Sequence, residues 1–256
     1  MKKFETQPTS NNSTSNEQLI TLQNRLFDRE VPEEYRRLAK NARLIELAEP
    51  YSENLHTLFY QEKGLTNLGK LISEAMHGGI VLDLGCGQTN HLSSFARKNE
   101  AELYIGVDLN PDVFTPGARM VPEGETIEER RERRRRLFQP ATPIKPEISE
   151  ESISSNVTRP KYQLKEKILQ IQDDILEAIS RMKDGLVDIV IISGIEMSSE
   201  NIEETNKYLT ALTAEIRRVL KKGGLLLNNQ SDLPAENFTT IAINNEQGWI
   251  VQKNNN

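Results

Sequence analysis

The sequence predicts an α/β fold built on a mostly parallel sheet, and three observations predict it. Segments 79–85, 103–108, 187–192 and 225–227 are short apolar runs of the kind that form buried strands. Helix-length stretches separate them, the clearest carrying Tyr208, Leu212, Ile216, Val219 and Leu220 at helical spacing. The first strand also runs straight into a glycine turn, Asp83-Leu84-Gly85-Cys86-Gly87. Strands alternating with helices imply a doubly wound sheet with helices on its faces.

Along the chain, residues 1–16 are polar and are expected to form a flexible tail. Residues 17–78 are expected to form a helical cap. Leu19, Leu22 and Leu26 start it; Tyr35, Leu38, Leu44 and Leu47 make a second helix after Pro32; Leu55, Leu58, Leu65, Leu68, Leu71 and Ile72 continue it as one or two more. Residues 79–256 make the main domain, with an insertion at 111–165. Gly223-Gly224 are expected to stop the helix that ends at Leu220, and Lys221-Lys222 place positive charge at its dipole end. Two stretches admit two readings. Leu164, Ile168, Ile171, Ile175, Ile179 and Met182 fit one long helix, or a strand at 168–172 followed by a helix from Asp174. Residues 238–243 read as a helix, or as a strand joined by a hairpin loop to Trp249-Ile250-Val251.

Composition narrows the function. A formal net charge of −6 argues against bulk nucleic-acid binding, which needs a dominant cationic surface. The only cysteine, Cys86, excludes an intrachain disulfide and suits a reducing cytoplasm. No apolar run approaches the roughly 20 residues of a membrane span, and no metal-ligand spacing stands out.

The glycine turn carries the chemistry. Glycines there let a ligand sit against the backbone, while Asp108 ends the next strand where a carboxylate accepts both hydroxyls of a ribose. A dinucleotide fingerprint would want a third glycine where Asn90 stands. Asp83 would also set negative charge beside a pyrophosphate. A sulfonium cofactor with an ammonium group welcomes that carboxylate.

At this point the residues resemble a family, the class I S-adenosylmethionine-dependent methyltransferases. Val81-Leu82-Asp83-Leu84-Gly85-Cys86-Gly87 is similar to that family's first motif, and Gly106-Val107-Asp108-Leu109-Asn110-Pro111 to its second. Asp173-Asp174-Ile175-Leu176-Glu177 resembles its third motif, and residues 217–224 the helix and turn before strand five. The resemblance implies a Rossmann-like sheet and S-adenosyl-L-methionine as cofactor. It implies that Asp83, Gly85, Cys86 and Gly87 line the methionine part, that Asp108 and Leu109 hold the ribose side, and that Asp174, ahead of Asp173, meets the adenine beside Ile175. Ser193 and Gly194 would border the methyl donor. It also favours strand then helix over 168–182. Departures are Thr89 in place of a third glycine, the long link between strands two and three, and a chain end that leaves the family's C-terminal hairpin in question.

A catalytic base is not evident. Glu196 is a weak candidate at the acceptor's entrance, and His56, His77 and His91 are others. The leading expectation is an enzyme methylating an acceptor, a small molecule by preference. The alternatives are a nucleoside-binding protein without catalysis and an RNA methyltransferase using the arginine-rich insertion. That segment, Thr126-Ile127-Glu128-Glu129 followed by six arginines within 130–136, reads as a solvated helical arm stabilised by charge pairs. Acidic and basic residues balance over 111–160. Replacing Arg133, Arg134, Arg135 and Arg136 by Ser is therefore expected to leave S-adenosylmethionine affinity within about a factor of three, since remote exposed charges are worth under ~1 kcal/mol. Calorimetry with the cofactor checks this, and a larger loss in a folded variant would make the arm a lid.

Overall fold

The structure is a computed structural model that describes residues 11–41, 44–46, 60–61, 64–87, 91–109, 160–192, 195–197, 202–229, 233, 237–244 and 249–255. Residues 117–159 separate as a second unit. They lie outside the described residues, and the arginine segment with them.

The main sheet is built from β4 (Ile80–Leu84), β5 (Leu103–Asp108), β6 (Lys161–Lys165), β7 (Ile168–Gln172), β8 (Val187–Ile192), β10 (Leu220–Asn228), β11 (Phe238–Asn244) and β12 (Trp249–Asn254). Their order is β11-β12-β10-β8-β4-β5-β7-β6. The centre, β10-β8-β4-β5-β7, is parallel, while β12, β11 and β6 join by antiparallel pairing. From β4 the chain moves outward through β5 to β7, then returns to the other side of β4 with β8. That reversal is the switch point at which doubly wound sheets bind ligands, outside the carboxyl ends of the strands. The fold is Rossmann-like.

Period-two alternation on β4 sets the two faces. Ile80, Leu82 and Leu84 pack with α5 (Ile175–Ser180) and α6 (Ile202–Val219) through Leu176, Ile179, Leu212 and Ile216. That cluster also takes in Leu26 of α1 (Asn11–Leu26) and Leu38 of α2 (Glu33–Asn41). Val81 belongs to the opposite face, with Ile72 and Met76 of α3 (Asn67–Met76) and Leu92 and Ala96 of α4 (His91–Lys98). Local chemistry starts and stops these helices. Thr66 caps α3 by accepting from the Gly69 amide at 2.8 Å. Glu203 and Glu204 open α6, and Arg217 and Arg218 close it, matching its dipole.

Several expectations are corrected. α1 begins at Asn11, inside the segment expected to be a tail. The second helix ends at Asn41, and Leu44 lies instead on β1 (Leu44–Glu46), paired antiparallel with β9 (Ile195–Met197). The cap is thus not purely helical, since β2 (Tyr60–Gln61) and β3 (Gly64–Leu65) pair within it. Leu47, Leu55 and Leu58 lie outside the described residues. The insertion ends before 165, because β6 is an edge strand of the main sheet. Residues 164–182 need no correction: they are strand then helix, as the resemblance implies, and not the single helix that periodicity also allows, because β7 gains backbone partners on both sides, β5 and β6, which a helix would forfeit. Gly223-Gly224 lie within β10, where a bulge between Leu220 and Leu225 and a φ of 78° at Gly223 absorb the turn. The C-terminal hairpin is present as β11 and β12.

Gly79, just before β4, shows how tightly the strand is entered. Its amide donates to Met76 O at 2.9 Å and its carbonyl accepts from Glu102 N at 2.9 Å. A Cβ there would lie 2.6 Å from the Ala75 carbonyl oxygen and 3.0 Å from the Asp188 side chain. Gly79→Ala is expected to destabilise the fold by about 1–3 kcal/mol, the usual range for overpacking a tight site. Urea denaturation checks this, and an unchanged midpoint would mean that α3 yields without cost.

Candidate functional site

The carboxyl ends of β4, β5 and β7 are stitched together by backbone and carboxylate. Gly85 and Gly87 adopt φ of 76° and 56°, a region that suits glycine, so the chain turns back sharply after β4. The turn folds over the end of β5: Gly85 N and Cys86 N donate to Val107 O at 2.8 and 3.1 Å. Gly87 N donates to Asp108 Oδ2 at 2.9 Å. β7 joins through Asp173 N, which donates to Asp108 O at 3.0 Å, and through Gln172 Nε2, which donates to Leu109 O at 3.0 Å.

This brings most of the expected residues to one edge of the sheet. Asp83 is 1% exposed, opposite Gly106 on β5 and Ile191 on β8. Tyr104 donates its hydroxyl to Asp83 Oδ2. Asp108 is 9% exposed, while Leu109 beside it is 54% exposed and offers an apolar surface at the strand end. Cys86 is buried among apolar side chains.

The acidic pair after β7 divides its work. Asp173 is held by an ion pair with Arg181, which also meets Glu177 at 3.2 Å. Asp174 caps α5, its Oδ1 accepting from Leu176 N at 2.8 Å and Glu177 N at 3.2 Å, and Tyr208 on α6 donates to both of its oxygens at 3.2 Å. Ile175 has its side chain in the core, so its contribution to a base site would come from the backbone. Ser193 and Gly194 lie outside the described residues. Glu196 has its backbone on β9, opposite Ile45 of β1, and its side chain is outside them. His77 is excluded as a base by position: it follows α3 at the amino end of β4, where Nδ1 meets Glu100 at 3.2 Å. His56 and the side chain of His91 lie outside the described residues. Among the described residues no cluster of three or more His, Cys, Asp or Glu could hold a metal ion, and no helix is long and apolar enough to cross a membrane.

Sequence reasoning missed the two tyrosines. Tyr208 reads as an apolar position of an amphipathic helix, and nothing in the spacing marks its hydroxyl. Tyr104 carries a faint signal, four residues before Asp108 on the same strand face.

Neither a sequence-family model nor a curated protein matches the chain. Solved structures do. HI0767 from Haemophilus influenzae, assigned as a methylase, matches with a TM-score of 0.41 and 12% identity over 74% of this chain and 86% of that one. YhhF from Escherichia coli, assigned as a methyltransferase, matches with a TM-score of 0.42 and 8% identity over 82% and 91%. The 1,6-didemethyltoxoflavin-N1-methyltransferase of Burkholderia thailandensis, solved with S-adenosylhomocysteine, matches with a TM-score of 0.36 and 12% identity over 73% and 76%.

Burial raises Asp174 from the ordinary value of 3.8 to about 6, against the hydrogen bonds from Glu177 N, Leu176 N and Tyr208 that favour its charged form. The folded chain therefore holds this proton more tightly than the unfolded one. The resulting stability is fully present below about pH 4 and is lost as the pH rises through about 6. Asp174→Asn keeps the capping oxygen and removes the titration. Wild type should gain on this variant by up to about 3 kcal/mol between pH 7 and pH 4, since a tenfold difference in proton affinity between the two states is worth about 1.4 kcal/mol. Denaturation midpoints across that range read the difference, and a constant gap would mean that Asp174 titrates alike in both states.

Proposed function

We propose that the chain is an S-adenosylmethionine-dependent methyltransferase acting on a small-molecule acceptor. The observation that carries this reading is the pair Asp83 and Asp108 at the ends of neighbouring parallel strands, with the glycine turn hydrogen-bonded across them. The arrangement fits a nucleoside whose tail is cationic. Asp108 ends β5 with its Oδ2 accepting from Gly87 N, and at that strand end it would accept the hydroxyls of a ribose. Leu109 offers apolar surface to a base, and Asp174 would accept from its amino group. Asp83 suits an ammonium group and opposes a pyrophosphate, whose charge it would repel across a weakly screening interior.

When bound, the cofactor supplies an electrophilic methyl group on a sulfonium. The residues of the chain orient the nucleoside and exclude water, and alignment of donor and acceptor can provide most of the rate enhancement without a dedicated base. Ser193 and Gly194, two residues beyond β8, would border the donor, and Glu196 would stand beside the acceptor. A lone buried cysteine suits work in a reducing compartment, the cytoplasm.

Calorimetry with S-adenosylmethionine, S-adenosylhomocysteine and a nicotinamide dinucleotide tests the reading, with binding expected for the first two. Asp108→Ala should lose at least about 1.5–3 kcal/mol of that binding, the worth of hydrogen bonds to a charged group. The loss includes the Gly87 contact that shapes the turn. Unchanged affinity would remove Asp108 from the site, and binding of the dinucleotide alone would replace methyl transfer with redox chemistry.

A further inference from the structure

Asp83 is the most deeply buried acid of the site. A carboxylate in that position needs charge-stabilising donors, since desolvation otherwise favours the neutral acid. One donor comes from the neighbouring strand. Tyr104 lies on β5 opposite Val81, two residues before the Gly106 that opposes Asp83, so Tyr104 and Asp83 are diagonal neighbours on the same sheet face. Side chains so related stand roughly 7–8 Å apart at their roots and meet only when one of them is long. Gly106 puts no side chain into the gap. The Tyr104 hydroxyl spans it and donates to Asp83 Oδ2. The ring itself is packed in the cluster formed with Ile72 and Met76 of α3 and Leu92 and Ala96 of α4, and is 2% exposed. Tyr104 stands two residues closer to the amino end of the sheet than the Gly106 that opposes Asp83, and is thus set back from the strand ends at which a ligand would bind.

We propose that Tyr104 is a positioning residue, whose buried hydroxyl fixes the Asp83 carboxylate in the orientation that receives the ammonium group of the cofactor's amino-acid tail. The inference rests on the cofactor reading above and assigns to one hydroxyl the choice between ligands with and without that tail. Tyr104 fixes one carboxylate oxygen, which restricts rotation of the group about its own axis. The remaining oxygen is thereby held in a constant direction. Without the hydroxyl Oδ2 loses this donor, and the carboxylate is less firmly aligned for a cation.

The test compares two probes on the full chain. S-adenosylhomocysteine carries the amino-acid tail, and methylthioadenosine shares the nucleoside and the sulfur but lacks it. Tyr104→Phe should weaken S-adenosylhomocysteine roughly ten-fold, the scale of one hydrogen bond to a charged group, and leave methylthioadenosine within about a factor of two. A role in packing alone would weaken both probes alike, and that result overturns the proposal, as does no change in either. Asp83→Asn should show the same selective loss, and adding Tyr104→Phe to it should change neither affinity further. If Tyr104→Phe alone does not fold, the double variant, with no charge buried at position 83, is compared with Asp83→Asn. Weaker S-adenosylhomocysteine binding in the double variant would show that Tyr104 acts other than through Asp83 and overturn the proposal. A wild-type chain that binds neither probe removes the cofactor reading itself, whereas binding of both without the selective loss removes only the role of Tyr104.

Discussion

The hydrogen bond from the Gly87 amide to Asp108 joins the glycine turn after β4 to the end of β5, and the rest of the site is arranged around it. With Gly85 N and Cys86 N on the Val107 carbonyl, it holds the turn folded over the end of β5. The same carboxylate residue accepts, through its main-chain oxygen, the amide of Asp173, so the end of β7 is tied in as well. Three strand ends thus share one set of bonds. A site whose backbone is already ordered has less conformational entropy to lose when it binds.

Charge is handled with similar consistency. Three acidic residues at this edge sit in poorly solvated positions, and each receives a donor from elsewhere in the chain. Asp83 takes the hydroxyl of Tyr104 from β5, Asp174 that of Tyr208 from α6, and Asp173 the guanidinium of Arg181 from just beyond α5. Tyr104 and Tyr208 belong to opposite faces of the sheet. One helical layer reaches the strand ends directly through Tyr208, and the other packs around the Tyr104 ring, so disturbing either layer would be felt there. Removing one member of such a pair costs more than the bond itself, because the other member remains in a place where water cannot replace the lost donor.

The glycine turn and the carboxylates at the ends of the first two strands are legible in the sequence because they depend on local backbone demands and on a short spacing. The strand at 168–172 is ambiguous in sequence for a physical reason. Its apolar positions suit a helix as well as a strand, and only pairing with β5 and β6, contacts distant in sequence, decides between them. The same holds at Leu44, where the pairing of β1 with β9 overrides a helical spacing. Gly223-Gly224 read as a helix stop, yet they form a bulge within a strand, because strand pairing resumes at once on both sides of the turn. The tyrosine hydroxyls stay hidden because a pattern of apolar positions records where a ring is buried and is silent about where its oxygen points.

The register of β6 has a consequence for how this chain can change over evolutionary time. Asp108, the last residue of β5, is opposite Gln172, and Gln172 is also opposite Lys161, the first residue of β6. The long excursion after β5 therefore departs and re-enters at the same edge of the sheet, two strand spacings apart, or roughly 10 Å. The pairing of β5, β7 and β6 does not depend on the length of the chain that joins these anchors. Residues can be gained, lost or exchanged there while the sheet keeps its register. The position serves as a socket: what occupies it can diverge quickly among descendants of this chain, while the strand ends beside it stay the same.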